Sequence, residues 1–239
     1  LKPYEHIFFD LDGTLWDLLT NSRKALGEMF CRYPGLEDRA ADFETFYTHY
    51  YRHNHRLWAL LREQRIGKEE LRVLRFRLAF GDMAIDCTPW VESFADEFME
   101  LCPRQGYLVN GAAALLEKLS MRYPLHIISN GFPEVQYIKM ETSGILGYFG
   151  EVILSEQCGV AKPHPDIFRQ AMAATGARAE TSLMIGDDWE ADILGALGAG
   201  IDQAFLTSTE KQVDPAFDRH RLQPPTYVLE SLGELHGML

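Results

Sequence analysis

The chain has 239 residues, 46% of them hydrophobic, and a formal net charge of -12. That length and apolar content suffice for a sizeable core, either one large domain or a core with a smaller insert, and exclude a disordered polypeptide. The acidic balance argues against a nucleic-acid polymer or an anionic membrane surface, because both need clustered Lys and Arg to neutralise phosphates.

Cys31, Cys87, Cys102 and Cys158 lie far apart with no C-x-x-C pair, which points to reduced thiols rather than a zinc ribbon or redox motif. The first apolar run is too short for the core of a signal peptide, and no run approaches membrane-spanning length. The expectation is a soluble, cytoplasmic protein with no membrane partner.

In chain order, the first signal is Ile7-Phe8-Phe9 running into Asp10-Leu11-Asp12-Gly13-Thr14. A strand over 4–10, with its period of two, puts Asp10 and Asp12 on the same side, and Gly13 opens a turn. Two carboxylates about 4 Å apart repel by roughly 4 kcal/mol at an effective dielectric near 20. A fold that keeps both ionised must supply a cation or a buried proton. A calcium loop fails here, because Asn21 stands at the twelfth position where a bidentate Glu belongs and no helix precedes the motif.

From about Leu18 to Leu101 the pattern is helical. Phe43, Phe46, Tyr47 and Tyr50 follow the spacing of one buried face, Leu71, Leu74 and Leu78 continue it before Gly81, and Thr88 and Pro89 open a helix burying Trp90, Phe94 and Phe98. The expected organisation is an all-helical insert at 17–101 within a core made of 1–16 and 102–239. His49 and His53 have metal-ligand spacing with His55 nearby, but no carboxylate or Cys accompanies them at matching spacing, which favours a solvated or half-buried face.

From Asn110 onward, helix and short apolar strand alternate. Asn110 is placed to cap a helix burying Leu115, Leu116 and Leu119, and Leu125-His126-Ile127-Ile128 is a strand ending at Ser129-Asn130-Gly131. Pro133 opens a helix carrying Val135 and Ile138, and Val152-Ile153-Leu154 is the next strand. Pro165 starts a helix stopped by Gly176, and Leu183-Met184-Ile185 runs into Gly186-Asp187-Asp188. A helix burying Ile193, Leu194 and Leu197 follows, then strands near 203–207 and 226–229. Such units imply a parallel sheet covered on both faces, with the site outside the carboxyl ends of its strands.

The set that could converge there is Asp10 and Asp12, Ser129 with Asn130 and Gly131, Lys162 before Pro163, and Asp187, Asp188 and Asp192. Taken singly, these are more often a strand-to-helix turn, a surface lysine and a helix cap. Together they resemble the haloacid dehalogenase superfamily of phosphohydrolases: DLDGT at 10–14, ISNG at 128–131, AKPHPDIF at 161–168 and IGDDWEAD at 185–192 occur in order. The resemblance covers residues 4 to about 207. It implies an α/β fold, a Rossmann-like parallel sheet with helices on both faces, carrying a helical cap inserted after the first strand.

The resemblance also implies roles. Asp10 is the nucleophile that forms an aspartyl-phosphate, and Asp12 is the acid that protonates the leaving oxygen and later takes a proton from water. Mg²⁺ is the cofactor, with Asp10, the backbone carbonyl of Asp12 and Asp187 as ligands. Gly13, Thr14, Ser129, Asn130, Gly131 and Lys162 bind the phosphoryl group. Trp16 is the aromatic ring nearest the chemistry and a candidate substrate contact. Relatives often carry Ser or Thr where Asp188 stands, so the outer-shell duties of Asp188 and Asp192 stay open.

The reaction implied is hydrolysis of a small phosphorylated metabolite by a monomer or homodimer. IISNGF, LSEQCGVAKP and DWEADILGA resemble the nucleoside 5′-monophosphatase branch. Phosphatases of sugar phosphates or phosphoglycolate share the four motifs, as does a phosphosugar mutase. A dehalogenase has no use for Asp12 as an acid. A non-catalytic binding protein would have lost some of Asp10, Asp12, Lys162 or Asp187, and all four are present.

Overall fold

A computed structural model describes residues 3–207 and 224–239. In chain order the elements begin with β1 (His6–Phe9), α1 (Leu18–Phe30), α2 (Phe43–Arg62), α3 (Lys68–Asp82), α4 (Val91–Leu101) and α5 (Ala112–Ser120). There follow β2 (Leu125–Ser129), α6 (Pro133–Thr142), β3 (Phe149–Leu154), α7 (Ser155–Cys158), α8 (Pro165–Thr175) and β4 (Ser182–Gly186). A wide turn of π-helix (Trp189–Leu194), α9 (Gly195–Gly198), β5 (Asp202–Leu206) and β6 (Tyr227–Leu229) complete the series. The chain divides into two compact units, one made of Leu1–Leu18 with Gly106–Leu239 and one of Leu19–Gln105.

The first unit is built on a six-stranded parallel sheet of order β3-β2-β1-β4-β5-β6. Side chains alternate between faces along a strand, and Ile7, Phe8 and Phe9 are all inaccessible, so both faces of β1 are covered. Phe8, Ile128, Ile167, Phe168 and Met184 belong to one continuous core cluster. The register aligns Phe9 with Ile127 on one side and Ile185 on the other. The chain therefore leaves β1, β2 and β4 side by side, at Asp10, Asn130 and Asp187.

Some local expectations change. The N-cap of α5 is Gly111 rather than Asn110, and α4 starts at Val91 with Trp90 as its N-cap, so Thr88 and Pro89 lie in the preceding turn. In the segment after β4, Ala191, Asp192 and Ile193 are buried, whereas Leu194 is exposed. The π-turn adds a residue to the helical period and rotates the expected apolar face away.

The second unit is all-helical around Phe46, Phe76, Phe80 and Phe94, each inaccessible, with the Phe46 and Phe80 ring centroids 4.4 Å apart. Its aromatic density is thus core packing. On α3 the buried face holds Leu71, Arg75 and Phe76, while Leu74 and Leu78 are half-buried. His49 and His53 do have a carboxylate beside them: Asp82 of α3 lies 3.2 Å from His49 Nδ1 and 2.7 Å from His53 Nε2, and Arg52 pairs with the same oxygen. Sequence spacing along α2 could not reveal a partner supplied by α3. No helix among the described residues is long and apolar enough to cross a membrane.

Candidate active site

Asp10 leaves the end of β1 with its amide donating to the Ile185 carbonyl at 2.9 Å. Its carboxylate meets those of Asp187, just past β4, and Asp192, on the π-turn; all three are buried and their ligand oxygens lie within 4.8 Å of one another. A cation stands among them. Lys162 Nζ lies 2.6 Å from Asp10 Oδ1 and 2.7 Å from Asp192 Oδ1, and donates to the Ile128 carbonyl at 2.6 Å. Asn130 holds this lysine by its backbone, accepting from the Lys162 amide at 2.8 Å and donating to its carbonyl at 2.9 Å. Through these two bonds the Asn130 side chain positions Lys162.

Three buried carboxylates around one ammonium leave an excess of negative charge. Burial pushes the Asp10 carboxyl well above the usual carboxylate range; Lys162 opposes the rise, and Asp192, Asp187 and Asp12 add to it. Burial likewise lifts Asp192 to about 6, against Lys162 and with help from Asp188 and Asp187. For Lys162 burial works against the charge, but Asp10 and Asp192 outweigh it and hold the ammonium above its ordinary value. An all-oxygen, over-acidic and buried donor set is the chemistry that suits a hard divalent cation.

Asp188 and Asp192 separate cleanly. Asp188 Oδ1 accepts from the amides of Glu190 at 3.0 Å and Ala191 at 2.9 Å, which is a helix cap. Asp192 turns inward, where its Oδ2 accepts from the Asp188 amide at 3.0 Å. The amides of Asp192 and Ile193 both reach the Asp188 carbonyl, at 2.9 and 3.3 Å, and this widened turn carries Asp192 into the cluster. The Thr14 hydroxyl donates to Asp187 Oδ1 at 2.9 Å. Gly13 adopts φ +92, and a Cβ there would stand 2.5 Å from Asp187 Oδ2. No other residue suits that turn.

Asp12 departs from expectation most. Since β1 ends at Phe9, the strand period does not extend through Asp10 and Asp12. Each carboxylate has its own lysine: Asp12 Oδ1 lies 2.6 Å from Lys139 Nζ, and Asp12 Oδ2 accepts from Gln136 Nε2 at 2.8 Å. Gln136 Nε2 also donates to Ser129 Oγ at 2.6 Å, and the Gly131 amide donates to the same oxygen at 3.1 Å. Trp16 is fully buried, with Lys139 Nζ 4.5 Å from its ring centroid. Its ring therefore seats a lysine.

Gln136 and Lys139 are the residues that sequence reasoning passes over. On α6 the apolar Val135 and Ile138 are half-buried, while Gln136, Lys139 and Met140 are buried. The available signal was the i, i+3 polar pair on the helix that follows Ser129-Asn130-Gly131.

Residues 4–200 match the haloacid dehalogenase-like hydrolase family. Pyrimidine 5′-nucleotidase YjjG of Escherichia coli is 31% identical over 99% of this chain and 98% of its own. Pyrimidine 5′-nucleotidase PynA of Streptococcus pneumoniae is 30% identical over 97% of this chain and 93% of its own. Among solved structures, magnesium-bound YfnB from Bacillus subtilis superposes with a TM-score of 0.83 at 25% identity, covering 100% of this chain and 99% of that one.

Proposed function

The chain belongs to the haloacid dehalogenase-like hydrolases, and on that premise we propose that it is a phosphoric monoester hydrolase using Mg²⁺, with a nucleoside 5′-monophosphate as its substrate. The observation that carries the reaction class is Asp10 held between Lys162 and two further buried carboxylates, with Asp12 supported separately a short way along the chain. The substrate class draws its support from the two pyrimidine 5′-nucleotidases that match over nearly the full length. Cys31, Cys87, Cys102 and Cys158 form no disulfide, which suits a reducing, cytoplasmic setting.

In this reading an oxygen of Asp10 attacks phosphorus while the bond from phosphorus to the leaving oxygen breaks, and Asp12 gives that oxygen its proton. Water then attacks the aspartyl-phosphate and gives a proton to Asp12. The bond from phosphorus to Asp10 breaks, inorganic phosphate leaves and the Asp10 carboxylate is restored. Lys162 offsets negative charge on the phosphoryl oxygens. Ser129 Oγ, already accepting from Gln136 and Gly131, has its O–H to donate to one of those oxygens. Asp10, Asp187 and Asp192 are the carboxylates that would hold Mg²⁺. When bound, the ion neutralises them together with the substrate phosphate.

The test is phosphate release from a panel of nucleoside 5′-monophosphates, sugar phosphates and phosphoglycolate, with Mg²⁺ and after chelation. We expect release that is fastest on nucleoside monophosphates and lost with chelator. A preference for sugar phosphates would overturn the substrate class. Isomerisation of a hexose phosphate without free phosphate would overturn hydrolysis.

A further inference from the structure

Lys139 is 6% exposed, and the partners of its ammonium are the Asp12 carboxylate and the face of Trp16. A lysine is seldom buried without a partner that requires it. This one is distinct from Lys162, which serves Asp10 and Asp192. The turn after β1 brings its seat into place: the Gly13 amide donates to the Trp16 carbonyl at 2.9 Å, and Asp12 and Trp16 form a β-bridge. Gln136 stands one helical turn before Lys139 and fastens the other Asp12 oxygen while also holding Ser129. The loop leading into α6 is shaped around Gln136, because a Cβ on Gly131 would stand 2.2 Å from its Nε2.

From this geometry we infer that Lys139, seated on Trp16, and Gln136 are positioning residues that aim the Asp12 carboxyl at the leaving-group oxygen; the inference rests on the phosphatase reading above. A carboxyl at the end of two rotatable bonds delivers a proton efficiently only when its orientation is fixed before the reaction. One donor on each oxygen fixes the plane of the carboxyl group. A carboxylate oxygen has two lone-pair directions, so each retains one for the transferred proton. Through Gln136 the same aim is tied to Ser129, which the reading places on the phosphoryl group. The acid and the phosphoryl site are thereby held in one frame by a single face of α6.

Lys139→Met keeps most of the unbranched side chain, one atom shorter, and removes its charge. The readout is the ratio of two substrates: a nucleoside 5′-monophosphate, whose alkoxide needs a proton to leave, and 4-nitrophenyl phosphate, whose phenolate leaves without one. We expect kcat on the nucleotide to fall by about a hundredfold or more, within the range of a general acid's contribution, with at least a tenfold smaller fall on nitrophenyl phosphate. Lys139→Arg should recover part of the loss. In an Asp12→Asn background, adding Lys139→Met should cost nothing further, since a residue that acts through Asp12 has nothing left to aim. Should Lys139→Met not fold, Gln136→Met reads the same ratio. Equal losses on both substrates, or additive losses in the double variant, would overturn the positioning role alone. Wild-type protein that releases phosphate from neither substrate overturns the phosphatase reading and this inference together.

Discussion

His126 gives the sharpest stability prediction, because its burial and its pH response are both on view. It lies on β2, 4% exposed, stacked on His6 at 5.3 Å between centroids and tilted against Phe8 at 5.2 Å. One ring nitrogen lies 3.1 Å from His6 Nδ1, and the other is buried with no hydrogen-bond partner among the described residues. Protonation would place a charge and an unanswered N–H in the sheet. Burial, with His6 adding to it, therefore lowers the pKa from 6.5 to about 4. The unfolded chain takes up this proton near 6.5 and the folded one only near 4, so stability falls as pH drops through that window. At 1.36 kcal/mol per pH unit the loss reaches at most ~3 kcal/mol. His126→Phe keeps an aromatic ring and forgoes the contact with His6, which costs about 1 kcal/mol at neutral pH. Urea unfolding, followed by exchange of the β1 amides to report the first unit, should show the variant slightly weaker at pH 7.5. By pH 4.5 it should have gained ~2–3 kcal/mol relative to wild type. A difference that stays flat between the two pH values would refute the argument.

Lys162→Met removes the ammonium shared by Asp10 and Asp192; breaking a buried pair from one side costs ~3–5 kcal/mol, to be read by urea unfolding in chelator, and a loss under about 1 kcal/mol would contradict the ion-pair geometry. Thr14→Val preserves shape but deletes the donor to Asp187 Oδ1, so Mg²⁺ affinity measured by calorimetry should weaken by roughly 10- to 100-fold; an unchanged affinity would remove Asp187 from the ligand set. Asp10→Asn should abolish turnover while its unfolding curve stays cooperative, because the amide cannot attack phosphorus. Measurable turnover in that variant would end the aspartyl-phosphate mechanism.

Much of the sheet was legible because local signals agreed with one another. Ile7-Phe8-Phe9, Leu125 to Ile128 and Leu183 to Ile185 are apolar runs bounded by turn residues, and a strand buried on both faces needs that pattern. Parallel pairing then brings the ends of β1, β2 and β4 together, so the convergence of Asp10, Ser129 and Asp187 follows from the strand pattern. Lys162 belongs with them through its motif and through Asn130, which grips its backbone.

Local patterns specify the order of the elements, the strand ends that carry the chemistry and the residue types gathered there. Tertiary structure decided which cation faces which carboxylate. The sequence of α6 draws attention to its apolar Val135 and Ile138, yet packing turns Gln136 and Lys139 toward Asp12. It made Trp16 a seat for Lys139, Asp188 a cap and Asp192 a member of the buried cluster. The physical reason is one of range. Apolar period and turn preference act over a few neighbouring residues, whereas a buried charge is satisfied by whatever group the fold brings within about 3 Å, and for Asp12 that group lies 127 residues away along the chain.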